Sequence, residues 1–142
     1  MNGFLLDTNC ISEVVSSRPE RRVLQWLDSV DESLLHLSVL TLGEIRRGVA
    51  GLAQGRRRTQ LQEWLERELP ARFAGRILPI NRAVADRWGL VSAEAKRKGR
   101  TVAGIDGLLA ATAFHFDLTL VTRNVDDFAS TRVPILNLWA AT

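Results

Sequence analysis

Phe4-Leu5-Leu6 is an apolar run with no polar alternation, cut off at once by Asp7-Thr8-Asn9. So short a run, apolar throughout, predicts a central strand buried on both faces of a parallel sheet. Asp7 then stands at the carboxyl edge of that sheet, where open α/β folds bind their ligands. Helical spacing follows, first from Ile11 to about Val15. A second helix is opened by Ser17-Arg18-Pro19-Glu20, with Ser and Glu three apart, and Val23, Leu24, Trp26, Leu27 and Val30 form its apolar face. Leu34 to Leu40 reads as a second strand. Thr41-Leu42-Gly43-Glu44 repeats the capping pattern, and Ile45, Val49 and Leu52 recur at i, i+4 and i+7. Glu44 is thereby expected in the first turn of a helix that follows a strand and ends at Gly55.

The next helix is expected from about Arg58 to Leu69, stopping before Pro70. Arg76 to Ile80 is a third short strand, and Pro79 suits a sheet edge or a strand end. Asn81 can cap a long helix whose apolar face is Val84, Ala85, Trp88, Val91 and Ala95. Gly104 to Ala113 is a helix of small residues with Asp106 in its first turn. Leu118–Thr122 and Ile135–Trp139 complete the strands. Strands alternating with helices imply right-handed crossovers. The expected fold is a single α/β domain over residues 1–142, a mainly parallel sheet of about five strands flanked by helices.

Composition narrows the class without choosing a function. With 46% hydrophobic and 25% charged residues, the chain is ordinary globular protein and not disordered. No apolar run approaches the ~18 residues of a membrane span, and no basic segment precedes an apolar one as in a signal peptide. Cys10 is the single cysteine, which excludes an internal disulfide and a cysteine-based zinc cluster. These features point to a cytoplasmic protein with no membrane partner. The net charge is only +3, yet the basic residues cluster: Arg46-Arg47, Arg56-Arg57-Arg58, and Lys96-Arg97-Lys98 with Arg100. Such clusters allow a polyanion such as RNA or DNA along one face. They are equally consistent with solvated helix surfaces, and the last with a helix dipole.

Four acids carry the candidate chemistry. Asp7, Glu44 and Asp127 each come shortly after an expected strand, and Asp106 opens a helix. Neighbouring strands lie about 4.8 Å apart, so one sheet edge can gather residues distant in sequence. Two carboxylates about 4 Å apart repel by about 4 kcal/mol at an effective dielectric near 20, which calls for a compensating cation. A few carboxylates with waters suit Mg²⁺ or Mn²⁺, and the chemistry that fits is metal-assisted phosphodiester hydrolysis. Local roles compete: Glu44 as the last member of a capping box, Asp106 as a helix-dipole acid, Asp127 as a turn cap. His36 and His115 lack metal-ligand spacing, and there is no glycine-rich phosphate loop.

The segments Phe4–Glu13, Glu44-Ile-Arg-Arg-Gly48, Asp106–Ala113 and Leu120–Phe128, in that order, resemble a PIN domain over essentially the whole chain. More narrowly the chain is similar to the VapC/FitB-type toxins of toxin–antitoxin pairs. The resemblance implies a Mg²⁺- or Mn²⁺-dependent endoribonuclease whose first three acids are Asp7, Glu44 and Asp106. The fourth family position is Asn124 here, with Asp127 the other acid near that slot. Thr8 and Thr122 match hydroxyl positions that orient water or a carboxylate. Arg46 and Arg47, then Arg56, Arg57 and Arg58, are the candidates for RNA contact. The family also implies an RNA substrate, a homodimer, and a cognate antitoxin that covers the site and binds DNA in the complex. Two other readings stand beside this one. A non-catalytic PIN-like module could act within a DNA-binding complex, and an Asp7-nucleophile phosphatase would need a second aspartate where the chain has Asn9.

Overall fold

Phe4–Leu6 is the middle strand, β1, of a five-stranded sheet in the computed structural model, which describes residues 2–140. The other strands are β2 (Leu35–Ser38), β3 (Ile77–Leu78), β4 (Thr119–Val121) and β5 (Ile135–Leu136). Their order is β3-β2-β1-β4-β5, and every pairing is parallel. Leu5 lies between His36 of β2 and Leu120 of β4. Phe4 and Leu6 enter one apolar cluster with Val23, Leu27 and Leu65, while Leu5 enters the other with Leu109, Ala113 and Phe128. Helices cover both faces, which is why β1 shows no polar alternation.

The first helix, α1 (Thr8–Ile11), begins three residues before the expected Ile11 because Asp7 caps it. Asp7 is extended, with φ −70° and ψ 162°, and its carboxylate accepts the Thr8 N–H. The chain tightens into a 3-10 turn over Ser12–Val15. Helix α2 (Arg21–Ser29) starts without a side-chain cap, so the Ser17–Glu20 capping box does not form; Ser16 Oγ instead accepts the Arg18 N–H. Val23 and Leu27 are its buried residues, and Trp26 meets Phe4 edge-on, centroids 4.8 Å apart.

Strand β2 ends at Ser38, not Leu40. The Ser38 hydroxyl accepts the Leu40 N–H at 3.0 Å and starts α3 (Val39–Ala50). Val39 and Leu40 suit a strand as well as a helix, and the serine decides between them. Thr41 therefore lies inside the helix, its buried hydroxyl without a partner, and Glu44 falls in the second turn. The Thr41–Glu44 capping box does not exist, and the helix ends at Gly51 rather than Gly55.

The following segment also overruns its expected limits. Helix α4 (Arg56–Glu63) passes through a wide π turn (Trp64–Glu68) into α5 (Leu69–Arg72). Pro70 lacks an N–H and crowds the carbonyl four residues back. The π turn just before it relaxes that spacing, so the path continues and buries Trp64, Leu65 and Leu69. Asn81 caps α6 (Arg82–Arg97), Oδ1 accepting the Val84 N–H at 2.9 Å. Val84, Val91 and Ala95 are buried, whereas Ala85 and Trp88 are exposed, a correction to the expected face. Trp88 lies on α7 (Gly104–His115) at Gly107, where an added Cβ would stand 3.0 Å from the indole. The last helix, α8 (Val125–Phe128), follows β4.

Candidate functional site

The site begins with how β1 ends. The Asp7 N–H donates to the Val121 carbonyl at 2.9 Å, so the sheet ladder fixes its backbone at the carboxyl edge. Its side chain is held at both oxygens. Oδ1 accepts the Thr8 N–H at 2.8 Å, and Oδ2 accepts the Thr122 hydroxyl at 2.7 Å and Asn9 Nδ2 at 3.4 Å. A carboxylate offers about four acceptor positions, so roughly one remains. Asp7 is only 7% exposed. Burial pushes its carboxyl above the ordinary range; the Thr122 and Thr8 bonds oppose that rise, and the Glu44 and Asp127 charges add to it.

Glu44 arrives from α3. Its Oε1 accepts the Thr8 hydroxyl at 2.7 Å, which joins the first strand's end to a helix 36 residues away. Asp106 stands in the first turn of α7. Its carboxyl is pushed up to about 6, by desolvation first and then by the charges of Asp127, Asp7 and Glu44. The charges of the other three acids thus all reach Asp106.

Asn124 and Asp127 come from β4's far end. The Asn124 N–H donates to the Thr122 hydroxyl at 3.0 Å, and the Asp127 N–H to the Asn124 carbonyl at 3.1 Å. Both line a polar concavity of about 410 Å³ with Arg123 and Asn137. Asn9 is the residue sequence reasoning left without a role. Its amide donates to Asp7 and reaches Thr122 at 3.5 Å, while its Oδ1 accepts the Arg123 N–H at 3.3 Å. The Asp-x-Asn spacing after a buried strand was the available signal. Cys10, directly behind, is fully buried, its thiol pushed up to about 12 by desolvation and by the Asp7 charge.

The basic candidates divide. Arg46 is tied to Glu66 at 2.9 Å, Arg57 to the Val15 carbonyl, and Arg58 to the Leu52 carbonyl at 3.3 Å. Arg56 opens α4. Arg47 lies a turn from Glu44 and shares a cavity wall with it.

Among the described residues, no three His, Cys, Asp or Glu side chains already stand close enough to grip one ion. Mg²⁺ does not need them to, because it keeps several waters and takes one or two carboxylates besides substrate phosphates. The donors here are all oxygen, anionic and mutually repelling. That set fits a hard divalent cation.

The chain belongs to the PIN domain family, whose model matches residues 4–133. Among its relatives is Toxin FitB of Neisseria gonorrhoeae, 42% identical over 96% of this chain and 98% of that protein. A VapC ribonuclease of Sinorhizobium fredii is 37% identical over 96% and 97%. The structure of FitAB bound to the IR36 DNA fragment superposes with a TM-score of 0.91 at 39% identity, covering 98% of this chain and 97% of that one. The resemblance read from four short motifs therefore holds, as does the parallel α/β sheet.

Proposed function

We propose that this chain is a divalent-metal-dependent endoribonuclease and the toxin of a toxin–antitoxin pair. The observation that carries the reading is Asp7: a buried carboxylate, clamped by Thr8 and Thr122, with Glu44, Asp106 and Asp127 all acting on the same ground. A fold gains nothing in stability from concentrating like charges, so the arrangement points to a ligand of opposite charge. Asp7 and Asp106 would hold Mg²⁺ or Mn²⁺, with Glu44 and Asp127 completing the anionic wall. What the ion supplies is Lewis acidity toward water and toward the phosphodiester oxygens. Thr122 and the Thr8 N–H hold the Asp7 carboxylate in one orientation, and the Thr8 hydroxyl does the same for Glu44. Without an ion, Asp106 keeps its proton up to about pH 6, which lessens the repulsion among the four.

The relatives named as a toxin and as a VapC ribonuclease support the activity, and the FitAB–DNA complex supports an antitoxin partner that binds DNA. No helix among the described residues is long and apolar enough to cross a membrane. We extend the reading to a cytoplasmic homodimer held in check by its antitoxin. The neutral Asn124 in the fourth family position favours one competitor, a PIN-like module that binds without cutting. Purified protein incubated with mixed RNA decides: cleavage with Mg²⁺ or Mn²⁺ and none in EDTA is expected. Folded protein that leaves RNA intact with both ions overturns the nuclease. Expression of the chain alone should slow growth, and the neighbouring small protein should restore it.

A further inference from the structure

Beside the acids, α3 and Ile105 of α7 line a second, open concavity of about 230 Å³, formed by Val39, Leu40, Gly43, Glu44, Arg47 and Ile105. It is continuous with the site, since Glu44 belongs to its wall and Ile105 precedes Asp106. Its walls are otherwise apolar, with Val39 40% exposed, and Arg47 is the single cation. Val39, Gly43 and Arg47 recur every four residues along one stripe of α3. Among the described residues Arg47 forms no ion pair, whereas the adjacent Arg46 is bound to Glu66.

Gly43 stands inside α3 on the floor of this concavity. Glycine inside a helix is destabilising relative to alanine, and a Cβ added there would meet nothing within 4 Å. No packing of this chain needs the missing side chain. Gly48 on the same helix and Gly89 in α6 share that freedom but lie outside this cavity. The volume is several times the ~30 Å³ share of one liquid water and below the ~300 Å³ of pockets for drug-sized ligands. It suits one planar ring system.

We infer that this slot seats a nucleobase of single-stranded RNA next to the linkage cut at the acids, an inference that rests on the nuclease reading. The base lies against Val39, Leu40 and Ile105, over the bare Gly43 backbone, and Arg47 stacks its guanidinium on the exposed face. Unpaired bases in RNA are held this way, on apolar surfaces and guanidinium planes. A phosphate would favour a polar wall, and here the apolar walls favour the base. The slot makes α3 a determinant of which residue flanks the cut.

The test moves one abasic ribose along a short single-stranded RNA and reads its affinity for the Asp7→Asn chain, with and without Gly43→Leu. With Gly43 in place, one abasic position should weaken binding at least about fivefold, the lower end of what a stacked base supplies. Gly43→Leu fills the slot, so it should weaken binding of intact RNA to that level and abolish the abasic penalty. Its melting temperature should not fall, because leucine is the better helix former. Arg47→Leu leaves the helix floor untouched and should reduce the same penalty. An equal abasic penalty with and without Gly43→Leu overturns the slot. So does a Gly43→Leu chain that loses only its co-expressed protein partner, which would give the slot to a protein side chain. Wild-type cleavage of RNA without any effect of Gly43→Leu removes the slot and leaves the nuclease. The slot effect without cleavage by the wild type does the reverse.

Discussion

The two edges of the sheet treat charge in opposite ways. At the amino edge, Glu32 is gripped by Arg72 through two bonds of 3.0 and 3.1 Å and by Arg76 at 3.3 Å. Arg76 also donates to the Glu32 and Leu35 carbonyls at 2.6 and 2.7 Å. Both guanidiniums lie over the fully buried Phe73 ring, 5.4 and 5.0 Å from its centroid. The Arg72 bond in the first place holds the Glu32 carboxyl below its ordinary range. At the carboxyl edge, Asp7 and Asp106 are pushed the other way, by burial first and then by neighbouring carboxylates. One edge pairs its carboxylate with two guanidiniums and serves the fold. Among the described residues, the other leaves its carboxylates without a cation of the chain's own beside them, as the proposed metal site requires.

Substitutions at the two edges should therefore separate activity from stability. The largest effect expected is that of Asp7→Asn, which should abolish metal-dependent RNA cleavage. In EDTA the same protein should melt about 3 °C higher, the response of a domain this size to ~1 kcal/mol of relieved repulsion. Parent-rate cleavage by Asp7→Asn would break the comparison at its centre. Arg76→Ala should do the converse. It strands the Glu32, Leu35 and Arg72 carbonyls and removes one of three bonds to the Glu32 carboxylate, at a cost of about 2–3 kcal/mol in chemical unfolding. Cleavage per folded molecule should stay at the parent value; a melting curve identical to the parent's would show that the amino edge is not structural.

Within the acidic edge, Asp127→Asn should lower cleavage about tenfold and raise the Mg²⁺ concentration required, as loss of a supporting ligand does. Asn124→Asp should keep or improve activity. A silent Asp127→Asn with a dead Asn124→Ala would hand the fourth position to Asn124. The smallest effect is in pH. Between 3.8 and about 6 the folded, metal-free chain binds the Asp106 proton more tightly than the unfolded chain does. Stability from that group is full below its unfolded pKa and is lost as the pH rises through 6. Glu32 has the opposite sign: its contribution stands above its ordinary 4.5 and is lost as the pH falls below it. Melting temperatures across this range should lose one slope in Asp106→Asn and the other in Glu32→Gln. Both changes are small because both groups touch solvent.

What was legible in the sequence was whatever a single periodicity determines. Phe4-Leu5-Leu6 had one reading, and so did the Asn81 cap. Val39-Leu40 had two, and a serine bond to Leu40 settled them. The path through Pro70 depends on a π turn that no residue pattern announces. In the site, Asp7 stood out as an acid that ends a buried strand, though it also caps α1. Glu44 was obscured by a capping box that the true helix start dissolves. Asn9 was overlooked because only its Asp7 bond is local, while Thr122 and Arg123 lie at the other end of the chain.

That separation has a consequence in time. The bond that clamps Asp7 spans 115 residues, to Thr122, and β1 gains its second neighbour only when β4 has been made. At about 5–20 residues per second, some 6–23 s of synthesis separate the two halves of the clamp. Until then Asp7 lacks its Thr122 hydroxyl and its place in a closed sheet. A ribosome part-way through this chain therefore carries Asp7 before the bond that orients its carboxylate can form.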